Sequence, residues 1–326
     1  MIYFVESKNI SNPTLPAMNE NAIEINSLTR YFGTKCAVNQ LSLQIPKGSI
    51  FGLLGRNGAG KTTTIRILMG LMSPTRGSAR VLDYDCQSLP PEARERIGYL
   101  AEGHHIYGWM TLRECGKFQS SFFRKWNSDI FHSILNHFRL DERAKAGNLS
   151  RGQRAGLCLA LTLAPEPELL VLDDPALGLD PVARRSLLES MLYVTRKDNR
   201  TILFSSHLLS DVERVADRIA VVHQGVLRAD CPVETFCDHI RQYVIRYNGT
   251  APDISTLPGL LHSFRTDKEI SVTCVKDDAL KAALEKLPGE IIEVPLGLED
   301  AFVSYVGERG EKSFFLENTK HQEATR

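Results

Sequence analysis

Apolar residues recur along this chain in two rhythms. Ile23 and Ile25, and later Leu41, Leu43 and Ile45 ahead of Pro46-Lys47-Gly48, alternate with polar neighbours, the period of half-buried strands. Residues 49–54, 169–172 and 201–204 are predominantly apolar, read as strands buried on both faces. Residues 219–222 and Val226-Leu227 flank Gln224-Gly225 as a hairpin. Helices are expected over 62–69 and over 157–164, the latter stopped by Pro165. Residues 111–147 read as helical too, with Phe118, Phe122, Phe123 and Trp126 on one face as ordinary core packing. Strands interleaved with helices predict an α/β core.

The rhythm weakens after Arg241. Strand-like 243–247, 270–275 and 291–294 surround a helical 279–286, so residues 241–307 are expected to form a small α+β appendage. Residues 1–21 read as a polar, flexible leader and 308–326 as a charged tail. No apolar run approaches the roughly 18 residues that a membrane helix needs. Met1 to Val5 is apolar but meets Glu6 at once, so no secretion signal is expected.

Composition narrows the class. The 326 residues hold one large or two modest domains, and 43% hydrophobic with 24% charged is ordinary for a globular protein. Lysine plus arginine and aspartate plus glutamate are both 39, so no global field attracts nucleic acid, and none is expected as a partner. Seven scattered cysteines without a Cys-x-x-Cys pair suggest a reducing cytosol rather than zinc or disulfides.

The chemistry concentrates at Gly55-Arg56-Asn57-Gly58-Ala59-Gly60-Lys61-Thr62-Thr63. The spacing Gly-x-x-x-x-Gly-Lys-Thr between a strand and a helix is the phosphate-binding P-loop, so a nucleoside triphosphate is the expected ligand. Glycines let backbone N–H groups turn inward as an anion nest, Lys61 reaches the β- and γ-phosphates, and the Thr62 hydroxyl ligates Mg²⁺. A phosphate cradle also needs a metal holder and a group that handles water. Asp173 and Asp174, at the end of the 169–172 strand, are placed for these two roles.

Between these elements, Leu149-Ser150-Arg151-Gly152-Gln153 resembles the Leu-Ser-Gly-Gly-Gln signature of ATP-binding cassette (ABC) proteins. Tyr31 resembles the aromatic that stacks on adenine, 97–102 the Q-loop, Gly178-Leu179-Asp180 the D-loop, and Ser205-Ser206-His207 the switch-histidine loop. Leu298-Glu299-Asp300-Ala301-Phe302 is similar to the end of ATPase subunits serving ABC-2-type exporters.

The resemblance implies a P-loop NTPase core over 22–240, with antiparallel β and helical subdomains, the latter at about 103–155. It implies ATP and Mg²⁺, the metal held by Thr62, Asp173 and Glu102, with Asp174, His207 and Glu102 catalytic. Ser150, Arg151, Gly152 and Gln153 would complete the γ-phosphate site of a second copy or a paralogous cassette. The expected partner is a separate integral membrane permease, which would place the chain in the cytoplasm, peripheral to the inner face of the cell membrane.

Three positions depart from the family pattern. Asp174 stands where glutamate is usual, Arg151 where the first signature glycine is usual, and Glu102 where glutamine is usual. Arginine would be strained if that position needs φ > 0; otherwise its guanidinium is free to pair with phosphate. The departures suggest slow hydrolysis with ATP binding intact. His104, His105, Ile106, Tyr107, Trp109 and Met110 either dock the membrane subunit or pack within the helical subdomain. The leading function is the motor of an exporter. A nucleotide-gated regulator with little turnover and a soluble ATPase of nucleic acid or ribosomes are the alternatives.

Overall fold

The computed structural model describes residues 20–198, 200–266, 268–307 and 310–311. The expected leader therefore lies outside the described residues up to residue 19, and so does the expected tail apart from Gly310–Glu311. Two compact units meet at Cys231/Pro232, ahead of the expected boundary at 240.

In the first unit, β1 (Asn21–Phe32) and β2 (Lys35–Pro46) form a long antiparallel hairpin. The alternation of Ile23 and Ile25 places both in the core, and a register shift before Leu28, with Ser27 at φ 47°, rephases the strand so that Leu28 is buried too. A second sheet is built on β3 (Ile50–Leu54), which leads into α1 (Lys61–Leu68). Strands β4 (Arg76–Val81) and β5 (Tyr84–Asp85) extend the hairpin sheet in the order β2-β1-β4-β5. Helix α2 (Pro91–Glu95) precedes β6 (Ile97–Leu100). Helices α3 (Leu112–Ser120), α4 (Ser128–His137) and α5 (Arg151–Leu163) follow. The unit continues through β7 (Leu169–Asp173), α6 (Pro181–Asp198), β8 (Thr201–Ser206), α7 (Leu209–Val215), β9 (Arg218–His223) and β10 (Val226–Pro232).

The second sheet has the order β10-β9-β3-β8-β7-β6, with β9, β3, β8, β7 and β6 mutually parallel. Every residue of β3, β7 and β8 is buried, which is why their stretches 50–54, 169–172 and 202–204 read as apolar runs. Their C-terminal ends align: Leu54 opposes Ser206, and Asp173 opposes Ser205. That edge is where open α/β sheets hold ligands.

The expected helical stretch over 111–147 is interrupted. α3 stops at Ser120, and Asn127 Oδ1 starts α4 by accepting from the N–H groups of Asp129 and Ile130. Phe118, Phe122, Phe123 and Trp126 therefore do not share a helix face, and Phe118 and Phe122 are 40% and 62% exposed rather than core.

The second unit contains α8 (Val233–His239), β11 (Ile240–Arg246), β12 (Leu260–Arg265), β13 (Glu269–Val275), α9 (Asp278–Leu284), β14 (Glu290–Pro295), α10 (Leu298–Val306) and β15 (Gly310–Glu311). Its sheet runs β14-β11-β13-β12-β15, antiparallel except for the last pair. Tyr243, Ile245, Ile270, Val272 and Cys274 bury one face under Leu280 and Leu284 of α9.

Candidate nucleotide site

The turn leaving β3 is shaped by glycine where no other residue fits. Gly58 and Gly60 sit at φ 81° and 104°, and a Cβ on Gly60 would overlap the Ala37 carbonyl oxygen. Gly60 caps the N-terminus of α1, whose first residue is Lys61. Lys61 is buried, and its Nζ donates to the Gly55 carbonyl at 2.7 Å. Burial lowers its pKa below the ordinary lysine value, against the opposing pull of Asp174, Asp173 and Glu102.

A cleft of ≈ 700 Å³ opens above this turn. Residues 57–63, Glu102, Asp173, Asp174 and His207 line it, whereas Gly55 and Arg56 do not. Asp173, 1% exposed, accepts hydrogen bonds on Oδ1 from Thr62 Oγ1 at 3.2 Å and Ser205 Oγ at 2.8 Å. Ser205 Oγ in turn accepts from the Asp174 backbone N–H at 2.9 Å. Asp174 adopts φ 47°, and its Oδ2 accepts from His207 Nδ1 at 2.7 Å. Its Oδ1 is buried without a hydrogen-bond partner among the described residues. Burial raises the Asp174 pKa, against His207 and Lys61, which lower it.

One placement differs from the sequence reading, and one decides between its two alternatives. Tyr31 does not line the cleft; Phe32 does. The hairpin register pairs Tyr31 with Cys36 and Phe32 with Lys35, and alternation sends the second pair, with Ala37, toward the cleft. The Arg30 guanidinium lies over the Phe32 ring, 4.8 Å from its centroid. His104 is not a surface residue. It is buried at φ 51°, and its Nε2–H donates to the Pro175 carbonyl at 3.0 Å, tying the Glu102 loop to the Asp174 turn. Met110 is buried as well, while Tyr107 and Trp109 remain exposed.

Residues 38–177 match the family model described as ABC transporter. Over 308 residues the chain is 32% identical to a Nod factor export ATP-binding protein I of Bradyrhizobium diazoefficiens, covering 90% of this chain and 99% of that protein. The chain belongs to the ATP-binding subunits of ABC transporters. A bacitracin transport ATP-binding protein of Bacillus licheniformis is 33% identical over 224 residues, 68% of this chain and 73% of its own length. Among solved structures, an ATP-binding subunit of an ABC transporter superposes with TM-score 0.61 at 27% identity, over 67% of this chain and 92% of that one. The dimeric structure of a bacterial ABC transporter cassette shares the fold, with TM-score 0.58 at 20% identity over 64% of this chain and 98% of its own.

In this ABC ATPase subunit the signature residues 149–153 do not line its own cleft. Ser150 caps α5 and forms a reciprocal box with Gln153: Ser150 Oγ accepts from the Gln153 N–H at 3.2 Å, and Gln153 Oε1 from the Ser150 N–H at 3.1 Å. Arg151 is the first helical residue, without positive φ, so the strain considered for an arginine here does not arise. Gly152 is buried, and a Cβ there would meet Ala183 of α6 at 2.6 Å. Asp180 Oδ1 starts α6 by accepting from the N–H groups of Val182 and Ala183. One turn on, Arg184 reaches Asp211 of α7 at 3.9 Å, a contact between the D-loop helix and the helix after His207 that no sequence motif signalled.

Proposed function

We propose that this subunit powers an exporter: two copies close on ATP, hydrolyse it slowly, and drive a separate integral membrane subunit. The observation that carries the proposal is the convergence of a glycine nest, Lys61, Asp173 and the Asp174–His207 pair at the aligned ends of three strands. Export follows the relative named for it, which matches along nearly its whole length. No described helix is long and apolar enough to cross a membrane, so an attachment to the inner face of the cell membrane would run through the partner.

Magnesium fits the donors present. No group of three or more His, Cys, Asp or Glu among the described residues could cage a metal, but Mg²⁺ is commonly held by one or two carboxylates plus substrate phosphates. Thr62 and Asp173 supply such a half-site, with Glu102 on the same cleft. The bound ion would neutralise charge on the β- and γ-phosphate oxygens. Lys61 donates to the same oxygens. Asp174 Oδ1, buried and without a described partner, accepts from the attacking water while Oδ2 orients His207.

Phe32, rather than Tyr31, is the adenine platform. Stacking on an aromatic is worth about 1–3 kcal/mol per base, so Phe32→Ala should weaken ATP binding by roughly 5- to 150-fold. Tyr31→Ala should leave it within about twofold, as its ring adds no stack. Titration with a fluorescent ATP analogue reads both, and a larger effect at Tyr31 would refute the assignment.

The partner docks on the exposed aromatic group of the helical region. Tyr107, Trp109, Phe118 and Phe122 contact one another in series, with centroids 6.2 Å (107/109), 5.8 Å (107/118) and 5.1 Å (118/122) apart. Tyr107 and Phe118 line a groove of ≈ 330 Å³ together with Ile106, Met110, Cys115 and Leu161 among others. Such a patch is costly to expose unless something covers it. The test is affinity capture of the chain from detergent-solubilised native membranes. An integral membrane protein should co-purify with the wild type and be lost with Trp109→Ala plus Phe118→Ala, while ATP binding persists. Capture of none by the wild type, or equal capture by the double variant, would reject this docking face.

A further inference from the structure

The segment Leu298 to Phe302 does not line the nucleotide cleft. In α10, Leu298, Ala301 and Phe302 are buried at helical spacing and serve as its packing stripe. Asp300 is exposed and adds nothing to that stripe. It lines a second cleft, ≈ 270 Å³, contained in the second unit.

The floor of that cleft is set by strand register. Thr273 of β13 directly opposes Gln242 of β11 on one side and His262 of β12 on the other, so three polar side chains form one row on one face. The neighbouring positions Tyr243 and Val272 belong to the apolar core of the opposite face. Thr273 is 5% exposed, and its hydroxyl makes no hydrogen bond among the described residues. Its oxygen is not among the buried unpartnered atoms, so it opens on the cleft as an acceptor. Gln242 Nε2 donates to Ser271 Oγ at 2.5 Å, which fixes the amide and leaves Oε1 as an acceptor. Facing the row, α10 contributes Asp300 and Ser304, one turn apart.

The lining holds a carboxylate and no lysine or arginine among the described residues, so it favours a cation that carries several N–H donors. At about 30 Å³ per water-sized group, the space suits roughly nine non-hydrogen atoms. A bare metal is a poor match, because no described group of His, Cys, Asp or Glu could hold one. We infer that this cleft binds a small organic cation, an ammonium or guanidinium compound, with Asp300 as its counter-ion and Thr273, Gln242 and Ser304 as hydrogen-bond acceptors. The site is independent of the nucleotide cleft in its residues and in its test.

The probe is agmatine, with glutarate as an anion of the same size, titrated calorimetrically into the full chain and followed by amide NMR shifts. Agmatine should bind one site per chain at millimolar concentration or below, shifting residues around Gln242, Thr273 and Asp300, and glutarate should not bind. Asp300→Asn, at an exposed position that leaves packing intact, should weaken agmatine about tenfold or more. Thr273→Val, checked for folding by its melting curve, should weaken it as well. No binding to the wild type, equal binding to Asp300→Asn, or equal binding of glutarate would each overturn the assignment. ATP titrated into the same samples keeps the two sites apart, since loss of ATP binding would instead count against the nucleotide-site reading.

Discussion

Lys61→Ala should lower ATP hydrolysis by about 10²- to 10³-fold, the range found when a single preorganised charge-stabilising donor is removed from a site. The size of the effect follows from where the ammonium sits. Lys61 is buried at the head of α1, its Nζ 2.7 Å from the Gly55 carbonyl, and burial alone disfavours its charge. Asp174, Asp173 and Glu102 pull the other way. A triphosphate entering the cleft would meet a cation already desolvated and aimed, with little reorganisation left to make. Alanine removes that cation and also withdraws one of the influences that lower the Asp174 pKa, so the carboxylate becomes harder to ionise. Binding and turnover should therefore fall together. Steady-state phosphate release and fluorescent-analogue titration measure the two, with a melting curve to confirm folding. Turnover within tenfold of wild type would mean that this turn does not hold the phosphates.

The nucleotide site was largely legible because its parts are constrained by local geometry. The glycine spacing has one use beside a strand and a helix, and strands buried on both faces announce themselves as apolar runs, as 50–54, 169–172 and 202–204 do. What stayed hidden depends on parity and on partners distant in sequence. Tyr31 and Phe32 are both aromatic neighbours in one strand, and only the register with Cys36 and Lys35 decides which faces the cleft. His104 reads equally as docking surface or as local packing, and only its positive φ, turning it inward to a carbonyl that arrives 71 residues later, decides for packing. β12 is not legible because its apolar alternation is broken by two polar residues, His262, which is half-buried, and Ser263, which the sheet buries. The boundary at Cys231/Pro232 has no linker to mark it, as Pro232 both ends β10 and caps α8.

Asp174→Glu should raise turnover by as much as about 10²-fold, the scale on which an ångström of misplacement acts, while lowering stability by about 1 kcal/mol. The two signs have separate causes. Asp174 is held at φ 47°, a backbone region that aspartate visits more readily than glutamate, so the longer residue is strained in the resting protein. Its carboxylate is now divided between duties: Oδ2 receives the His207 N–H at 2.7 Å, and Oδ1 is buried without a described partner. One added methylene carries the carboxylate outward by about 1.5 Å, toward the cleft where water would attack. A substitution acting through general loosening would lower both stability and rate, whereas relief of a retracted base lowers one and raises the other. Phosphate release by wild type and Asp174→Glu at saturating ATP, paired with melting temperatures, separates these outcomes. A brisk wild-type rate that the glutamate leaves unchanged or reduces would show that the shorter carboxylate already reaches its water, and the expectation of slow hydrolysis would fall with it.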